Sequence, residues 1–256
     1  IKKDNIDWVN FILTVLVSLS ILIPMFIAPT ATNKYLNAAY DYIASNIGGV
    51  YLIMGLLTLA FLLFLSFSHH GNIKLGKEHE EPEYGTFGWS SMLFCAGIGA
   101  SLVLYGSTEW VDYYLKPPFD AVSGSRESIE WASTYGMFHW GITGWAIYCF
   151  PAVAIGYNYH VKGASSLKAS TGCEAVFGSS ENHFLARLID LVYMIALVGV
   201  LGAGLGLTSP VVSATITEFF SIEQSLAITI SCLLLCLVIY SISTYFGLEK
   251  GIQKLS

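Results

Sequence analysis

The chain has 256 residues, of which 54% are hydrophobic and 12% are charged, and its formal net charge is −6 at pH 7. Soluble domains carry about 25% charged residues, so this composition excludes a disordered chain and argues strongly against a soluble enzyme. The acidic balance, without a basic block, argues against nucleic acid as a partner. The five cysteines form no CxxC pair, which argues against a disulfide-stapled secreted domain.

Six stretches are long and apolar enough to cross a bilayer, which takes about 20 residues of helix. Backbone hydrogen bonds must be satisfied internally in lipid, and these runs lack the alternation of β-strands. The sequence therefore predicts an all-α membrane protein with about six transmembrane helices. In chain order, the predicted spans are approximately 9–28, 50–67, 91–110, 134–157, 189–207 and 226–245.

The distribution of basic residues predicts the orientation of these spans. Of the 12 Lys and Arg residues, Lys34, Lys116 and Arg126 fall in the segments opposite the N-terminus, and the others fall on the N-terminal side. Cytoplasmic loops carry the excess of positive charge. We therefore expect a multi-pass protein of the cell membrane with its N-terminus inside.

The linkers between spans differ in character. Residues 69–88 are polar and acidic, which is typical of a cytoplasmic loop, and 116–130 reads as an outer loop. Residues 32–44 show some amphipathic spacing, and we expect them to lie along the membrane surface. Residues 208–225 open with Ser209-Pro210 and continue with a short helical pattern.

Motifs of soluble enzymes are absent or incomplete. The sequence holds no HExxH and no GxSxG motif. Residues Gly71–Lys77 match the GxxxxGK part of a phosphate-binding loop, but Glu78 stands where the magnesium-binding Ser or Thr belongs. We therefore expect a protein that is not an enzyme and carries no organic cofactor.

The third stretch contains Gly97 and Gly99 just before Ser101. A glycine inside a helix costs about 1 kcal/mol relative to alanine. One interpretation is close helix packing through small residues. The other is a break in the helix, whose freed carbonyl groups face an ion or substrate near the membrane midplane. The sequence leaves both open.

The fourth stretch contains Trp140, Trp145 and Tyr148. At about 100° per residue, a continuous helix places all three on one face. Trp145 lies near the middle of the stretch, whereas interfacial tryptophans lie at span ends. An aromatic cage attracts a quaternary ammonium group through cation–π forces, worth about 0.5–2 kcal/mol per ring. Ordinary packing is the alternative interpretation.

Several motifs together resemble the betaine/carnitine/choline transporter (BCCT) family. They are WSSMLFCAGIG at 89–99, GSTEW at 106–110, FHW at 138–140 and WAIY at 145–148. The resemblance runs over essentially the whole chain, and its tryptophan motif is the most specific part. It implies a transporter of about twelve spans with a LeuT-type inverted repeat.

The resemblance also implies a domain organisation. Residues 1–88 would hold two N-terminal transmembrane helices and a cytoplasmic loop. Residues 89–256 would hold the first four helices of the first inverted repeat, with the second repeat absent from this chain. Members of the family are often homotrimers, which we expect here by resemblance alone.

By the family pattern, Trp140, Trp145 and Tyr148 would line an aromatic box around the trimethylammonium group of the substrate. Tryptophans of the second repeat would complete the box. The substrate would then be a small quaternary ammonium compound, namely carnitine, glycine betaine or choline.

The family pattern also gives a role to the third stretch. Gly97, Gly99 and Ser101 would belong to an unwound segment beside the substrate. In sodium-coupled relatives, the backbone carbonyls at the positions of Cys95 and Ile98 help to hold a sodium ion. Na⁺ is therefore the coupling ion that the resemblance suggests.

The chain departs from the sodium-coupled pattern in the fifth stretch. Leu197 and Leu201 stand where sodium-coupled betaine carriers have threonines. A leucine side chain has no oxygen to bind an ion. In addition, the motif STE at 107–109 is more similar to the carnitine-exchanger branch of the family. The resemblance therefore favours carnitine or a related betaine, with the coupling left open.

Two functions of different kinds remain. The first is a secondary transporter of quaternary ammonium compounds that works by alternating access in the lipid bilayer. The alternative is a membrane protein that does not transport, such as an osmosensing receptor or a six-span scaffold.

Overall fold

The computed structural model describes residues 7–97, 100–177 and 184–247, without the side chains of residues 96, 97, 100, 101 and 103. Every regular element in this part of the chain is helical, which confirms the all-α prediction. The helices are α1 Trp8–Ile27, α2 Pro29–Phe67, α3 Thr86–Gly97, α4 Ala100–Leu115, α5 Arg126–Trp140, α6 Ile142–His160, α7 Glu174–Phe177, α8 Phe184–Phe220 and α9 Leu226–Gly247. Short 3₁₀ helices occupy His69–Asn72 and Ala169–Cys173.

The described residues contain five helical stretches that are long and apolar enough to cross a membrane. They are Trp8–Ile27, Pro29–Phe67, Arg126–His160, Phe184–Phe220 and Leu226–Gly247. Each contains one of the predicted spans almost entirely. The remaining predicted span, 91–110, falls on α3 and α4, and residues 98–99 between them lie outside the described residues.

A capping residue marks the start of α1, and two prolines flank the turn between α1 and α2. The carboxylate of Asp7 accepts a hydrogen bond from the backbone N–H of Asn10, 3.2 Å away, and so caps the start of α1. Pro24 lies in the last turn of α1, and Pro29 is the first residue of α2, where a missing N–H costs nothing. Only Ala28 separates the two helices.

Helix α2 is much longer than a membrane requires. It has 39 residues, or about 58 Å at 1.5 Å per residue. At a tilt of 40°, the upper end of the usual range, it would still reach about 45 Å along the membrane normal, against a hydrocarbon core of about 30 Å. The expectation that 32–44 lie along the membrane surface is wrong, because α2 continues through Gly48 and Gly49 as one helix into its apolar half.

Helix α8 is also longer than its predicted span. It has 37 residues and continues through Pro210 to Phe220, so most of 208–225 is helix rather than linker. The hydroxyl of Ser209, just before the proline, donates to the carbonyl of Leu205 at 2.7 Å and is thereby satisfied within its own helix. In an apolar environment a continued helix satisfies more backbone groups than a loop.

The described chain divides into two compact units, within the ranges 1–80 with 138–198 and 81–137 with 199–256. In the first unit, α2 and α6 pack side by side and run parallel. A Cβ at Gly55 would lie 3.4 Å from both Thr143 and Ile147. Further along both helices, the rings of Phe61 and Phe150 meet edge to face at 5.7 Å. The organisation predicted at residues 1–88 and 89–256 stays a prediction.

The loop after α6 is fixed in the first unit by two buried side chains. The amide of Asn158 donates to the carbonyl of Thr171 at 2.9 Å. The carboxylate of Asp190, on α8, accepts from the backbone N–H and the hydroxyl of Ser170, both at 2.9 Å. Gly172 lies against α6, where a Cβ would be only 3.1 Å from Ile155.

In the second unit, an aromatic cluster joins α4, α5 and the loop between them. The rings of Tyr113 and Tyr135 stack at 4.7 Å, and Trp131 lies 5.5 Å from Tyr135. Phe119, in the loop, contacts Trp131 at 5.2 Å. The hydroxyl of Tyr113 donates to the carboxylate of Glu109 at 3.1 Å. Because the tyrosine rings stack on each other, this cluster is a packed structure rather than an open cage.

Candidate functional site

The helix that carries the predicted aromatic residues is interrupted at Gly141. Helix α5 ends at Trp140, and α6 begins at Ile142. Gly141 has an extended backbone, with φ −89° and ψ −154°. Its carbonyl accepts from the N–H of Trp145 at 3.2 Å, which starts the hydrogen-bond ladder of α6. The single predicted span at 134–157 is therefore two helical segments.

Gly144 allows the interruption to be compact. A Cβ at this position would collide with the carbonyl oxygen of His139. Only glycine lets the first turn of α6 approach the end of α5 so closely. The sequence signal for this interruption is the GITG pattern at 141–144.

The structure brings Trp145 and Tyr148 together. Their ring centroids lie 5.6 Å apart and their planes meet at 75°, an edge-to-face arrangement. The two residues are three apart on α6, so they share a face of one helix. The shared-face argument holds for this pair. It does not extend to Trp140, because Gly141 interrupts the helical rotation between Trp140 and Trp145.

The aromatic pair lies on the side of α6 that is turned away from α2. Helix α6 meets α2 through Thr143, Ile147 and Phe150. Trp145 is 42% exposed and Tyr148 is 66% exposed, while Ala146 between them is buried. Two rings at a large angle form an open corner. This corner can hold one side of an alkylammonium group, and further walls would have to close around it.

Trp140 is 40% exposed and lies at the end of α5, just before the interruption. It stands five residues before Trp145, with Gly141 and Gly144 between them. Its assignment to the same box as Trp145 and Tyr148 stays a prediction.

The candidate residues of the third stretch are only partly described. Gly97 is the last residue of α3, and Ser101 belongs to α4, without a described side chain. Gly99 and Ile98 lie outside the described residues. The predicted unwound segment, and its use in substrate or sodium binding, therefore stay predictions.

The remaining sodium-related positions are Cys95, Leu197 and Leu201. Cys95 is exposed and lies inside α3. Leu197 and Leu201 lie on α8, and both side chains are exposed. Within the described residues, no group of three or more His, Cys, Asp or Glu side chains is placed to hold a metal ion.

Comparison with known proteins identifies the family. The model of the betaine/carnitine/choline family of transporters, BCCT, matches residues 9–256. The members of this family are transporters and not enzymes.

Curated relatives agree with this match. The chain is 33% identical to the glycine betaine transporter OpuD of Bacillus subtilis, over 90% of this chain and 45% of OpuD. It is 31% identical to a carnitine transporter of Acinetobacter baumannii, over 80% of this chain and 37% of that protein. It is also 31% identical to the osmo-independent choline transporter BetT1 of Acinetobacter baylyi, over 94% of this chain and 46% of BetT1.

The alignments therefore span less than half of the length of these curated relatives. They nevertheless cover most of this chain, and the family match extends through all the described helices. The chain belongs to the betaine/carnitine/choline transporter family.

Proposed function

We propose that this chain forms part of a secondary transporter that moves a quaternary ammonium compound across the cell membrane by alternating access. The observation that carries the proposal is the edge-to-face pair of Trp145 and Tyr148, exposed beside a break in a transmembrane helix. Family membership supports it, because the relatives are named as carriers of glycine betaine, carnitine and choline.

The chemistry of the pair suits this class of substrate. A trimethylammonium group has no N–H donor, so it gains little from carboxylates that bind through hydrogen bonds. An aromatic face attracts the positive charge and at the same time packs against the methyl groups, worth about 0.5–2 kcal/mol per ring. Trp145 and Tyr148 supply two such surfaces at a large angle.

Other groups complete the proposed site. Trp140 would supply a third ring, and Gly97, Gly99 and Ser101 would let the backbone of the third span approach the substrate. The remaining walls would come from residues beyond those described. Carnitine or a related betaine is the preferred substrate, since STE at 107–109 is most similar to the carnitine-exchanger branch.

The coupling proposal concerns Na⁺. A sodium ion held by the carbonyls of Cys95 and Ile98 is the site that the family pattern suggests. Leu197 and Leu201 bring no oxygen to a second site. We therefore favour exchange without sodium. The N-terminus inside, and assembly as a homotrimer, belong to the same proposal.

Substitution of single rings tests the site. In the protein at its natural full length, Trp145→Ala and Tyr148→Ala should each weaken carnitine binding at least about fivefold, the loss of about 1 kcal/mol. Trp145→Phe should retain part of the affinity. Binding is measured by isothermal titration calorimetry in detergent.

The matched controls are exposed rings of the same type on other helices, Trp8→Ala on α1 and Tyr51→Ala on α2. They should leave carnitine affinity unchanged. An equal decrease of the melting temperature in all four alanine variants, without a selective loss of carnitine affinity, would show that Trp145 and Tyr148 serve packing alone. Binding without uptake would favour the receptor alternative.

A further inference from the structure

The packing of α6 on α2 depends on Gly55. Most of α2 is exposed, but Gly55 is buried. A Cβ at this position would lie 3.4 Å from the methyl group of Thr143 and 3.4 Å from the end of the Ile147 side chain. These two residues of α6 are four apart, so they are neighbours on one face of that helix. The backbone of α2 at Gly55 therefore lies against the pair, and all three residues belong to the first unit.

The other glycines in α2 have no such neighbour. A Cβ at Gly48 or Gly49 would meet nothing within 4 Å in the part of the chain that the structure describes. Glycine is a poorer helix former than alanine, so each of the three weakens α2. The distance between two packed helices depends on the side chains at their contact. Gly55 therefore allows a shorter distance between α2 and α6 than a larger residue would.

The contact at Gly55 lies opposite one ring of the candidate site. Residues two apart on an α-helix differ in direction by about 200°. Trp145 is two residues after Thr143 and two residues before Ile147. Its side chain therefore leaves α6 on the side that is turned away from Gly55.

Tyr148 has the same relation to a second contact between the helices. It stands two residues before Phe150, whose ring meets that of Phe61 on α2 edge to face at 5.7 Å. Backbone hydrogen bonds hold the residues of α6, Ile142–His160, in one helix. Helix α6 therefore lies between α2 and the corner that Trp145 and Tyr148 form, and a displacement of α6 from α2 moves both rings in the same direction.

A larger side chain at position 55 would have little room to turn aside. Thr143 and Ile147 are both β-branched, and a branched side chain has few alternative rotamers in a helix. The nearest atom of Thr143 is a methyl carbon bonded directly to its Cβ. Inserting atoms into a packed contact forces shifts of the backbone. Atoms beyond a Cβ at position 55 would therefore push α6 away from α2.

We propose that Gly55 is a positioning residue for the candidate site, because it sets how far the rings of Trp145 and Tyr148 project towards the quaternary ammonium group. Gly55 itself does not contact the substrate. Groups that bind a ligand must be held within about 0.5 Å of their productive positions, so a small displacement of α6 is enough to weaken binding. The proposal rests on the proposed function, in which this pair of rings binds the ammonium group.

Substitutions of increasing size at Gly55 test the proposal in the protein at its natural full length. In Gly55→Ala, the added Cβ makes an ordinary contact at 3.4 Å, so carnitine affinity should stay unchanged. Gly55→Leu should weaken carnitine binding at least about fivefold, because it displaces both rings. Gly55→Val, which adds fewer atoms, should have a smaller effect in the same direction, and it replaces Gly55→Leu if that variant does not fold.

Isothermal titration calorimetry in detergent measures the affinity, and thermal unfolding shows that each variant is folded. The titrant is carnitine, or whichever of glycine betaine and choline the unsubstituted protein binds more tightly.

A second substitution on α6 should restore the binding. Ile147→Ala removes side-chain atoms that lie next to position 55, so the double variant Gly55→Leu/Ile147→Ala should regain most of the lost affinity. Ile147→Ala alone should weaken binding less than Gly55→Leu does, since it does not push α6 away from α2. Recovery of this kind demonstrates coupling between contacting residues.

Two matched controls place the same leucine elsewhere. Gly49→Leu lies on α2, where a Cβ meets nothing within 4 Å, and it should change neither the melting temperature nor the affinity by much. Gly172→Leu crowds α6 from the loop, where a Cβ would lie 3.1 Å from Ile155. Ile155 is ten residues after Trp145, or about 15 Å along the helix. Gly172→Leu should therefore lower the melting temperature and leave the affinity unchanged, which separates loss of stability from loss of position.

A folded Gly55→Leu protein that binds the substrate as tightly as the unsubstituted protein would overturn the proposal. Equal losses of affinity in Gly55→Leu and Gly172→Leu would also overturn it, because the effect would then come from stability alone. If Ile147→Ala fails to restore affinity in the double variant, position 55 does not act through α6. Failure of the proposed function gives a different result, namely an unsubstituted protein that binds none of carnitine, glycine betaine and choline.

Discussion

At the residue scale, the backbone of the candidate site depends on the absence of a side chain at Gly144. Any side chain there would collide with the carbonyl oxygen of His139. The first turn of α6 can lie this close to the end of α5 only because residue 144 has no Cβ. Trp145 follows directly, so a displaced first turn would also displace its ring from Tyr148.

We therefore expect Gly144→Ala to lower the stability of the protein by about 1–3 kcal/mol, the usual cost of inserting a methylene into a packed position. It should also weaken carnitine binding, since the ring of Trp145 must shift. Thermal unfolding in detergent and calorimetric titration measure the two effects.

Gly136→Ala on α5 is the control, because a Cβ there meets nothing within 4 Å. Alanine has the better helix propensity, so this variant should be neutral or up to about 1 kcal/mol more stable. Equal melting temperatures and affinities for the two variants would show that the close approach at Gly144 has no effect on the site.

At the element scale, the loop between α6 and α8 is held by helix side chains rather than by a core of its own. Asn158 on α6 and Asp190 on α8 are both buried, and they reach Thr171 and Ser170 of the loop. The carboxylate accepts two hydrogen bonds, and bonds to a charged group are the stronger kind, worth about 1.5–3 kcal/mol. The position of the loop therefore depends on the positions of α6 and α8.

Asp190→Asn should loosen this loop without changing its shape, because the amide replaces one acceptor oxygen with a donor. We expect amide hydrogen exchange at 169–173 to become at least about tenfold faster, the kinetic equivalent of losing about 1.4 kcal/mol of local stability. Mass spectrometry of exchanged peptides measures it.

The matched control is Glu218→Gln, an exposed carboxylate on the same helix. Exchange at 169–173 should be unchanged in that variant. Asp190→Asn with unaltered exchange would mean that Asn158 and the packing of Gly172 hold the loop by themselves.

At the scale of the whole molecule, the parallel course of α2 and α6 fixes the number of crossings between them. Two parallel spans require an odd number of crossings in between. Helices α3, with 12 residues, and α4, with 16, are each short of the about 20 that a span requires. The span predicted at 91–110 therefore stays a prediction, which the parallel course of α2 and α6 supports.

The all-α fold and the membrane spans could be predicted from the sequence, because both follow from long apolar runs. The interruption at Gly141 was missed because it lies within a long apolar run, and the close approach to His139 depends on three-dimensional packing. The contacts of Asp190 with Ser170 were missed because they join residues 20 apart across a loop. Proximity of Trp145 and Tyr148 was predictable, since it needs only local helix geometry.

The most direct test of the whole account is uptake of labelled carnitine, glycine betaine and choline by the natural full-length protein in liposomes, with and without a sodium gradient. We predict counterflow of carnitine that does not depend on sodium, because Leu197 and Leu201 supply no oxygen ligand. Sodium-driven uptake would contradict the proposed exchange while keeping the substrate class. Absence of uptake for all three compounds would contradict the central claim that the protein transports quaternary ammonium substrates.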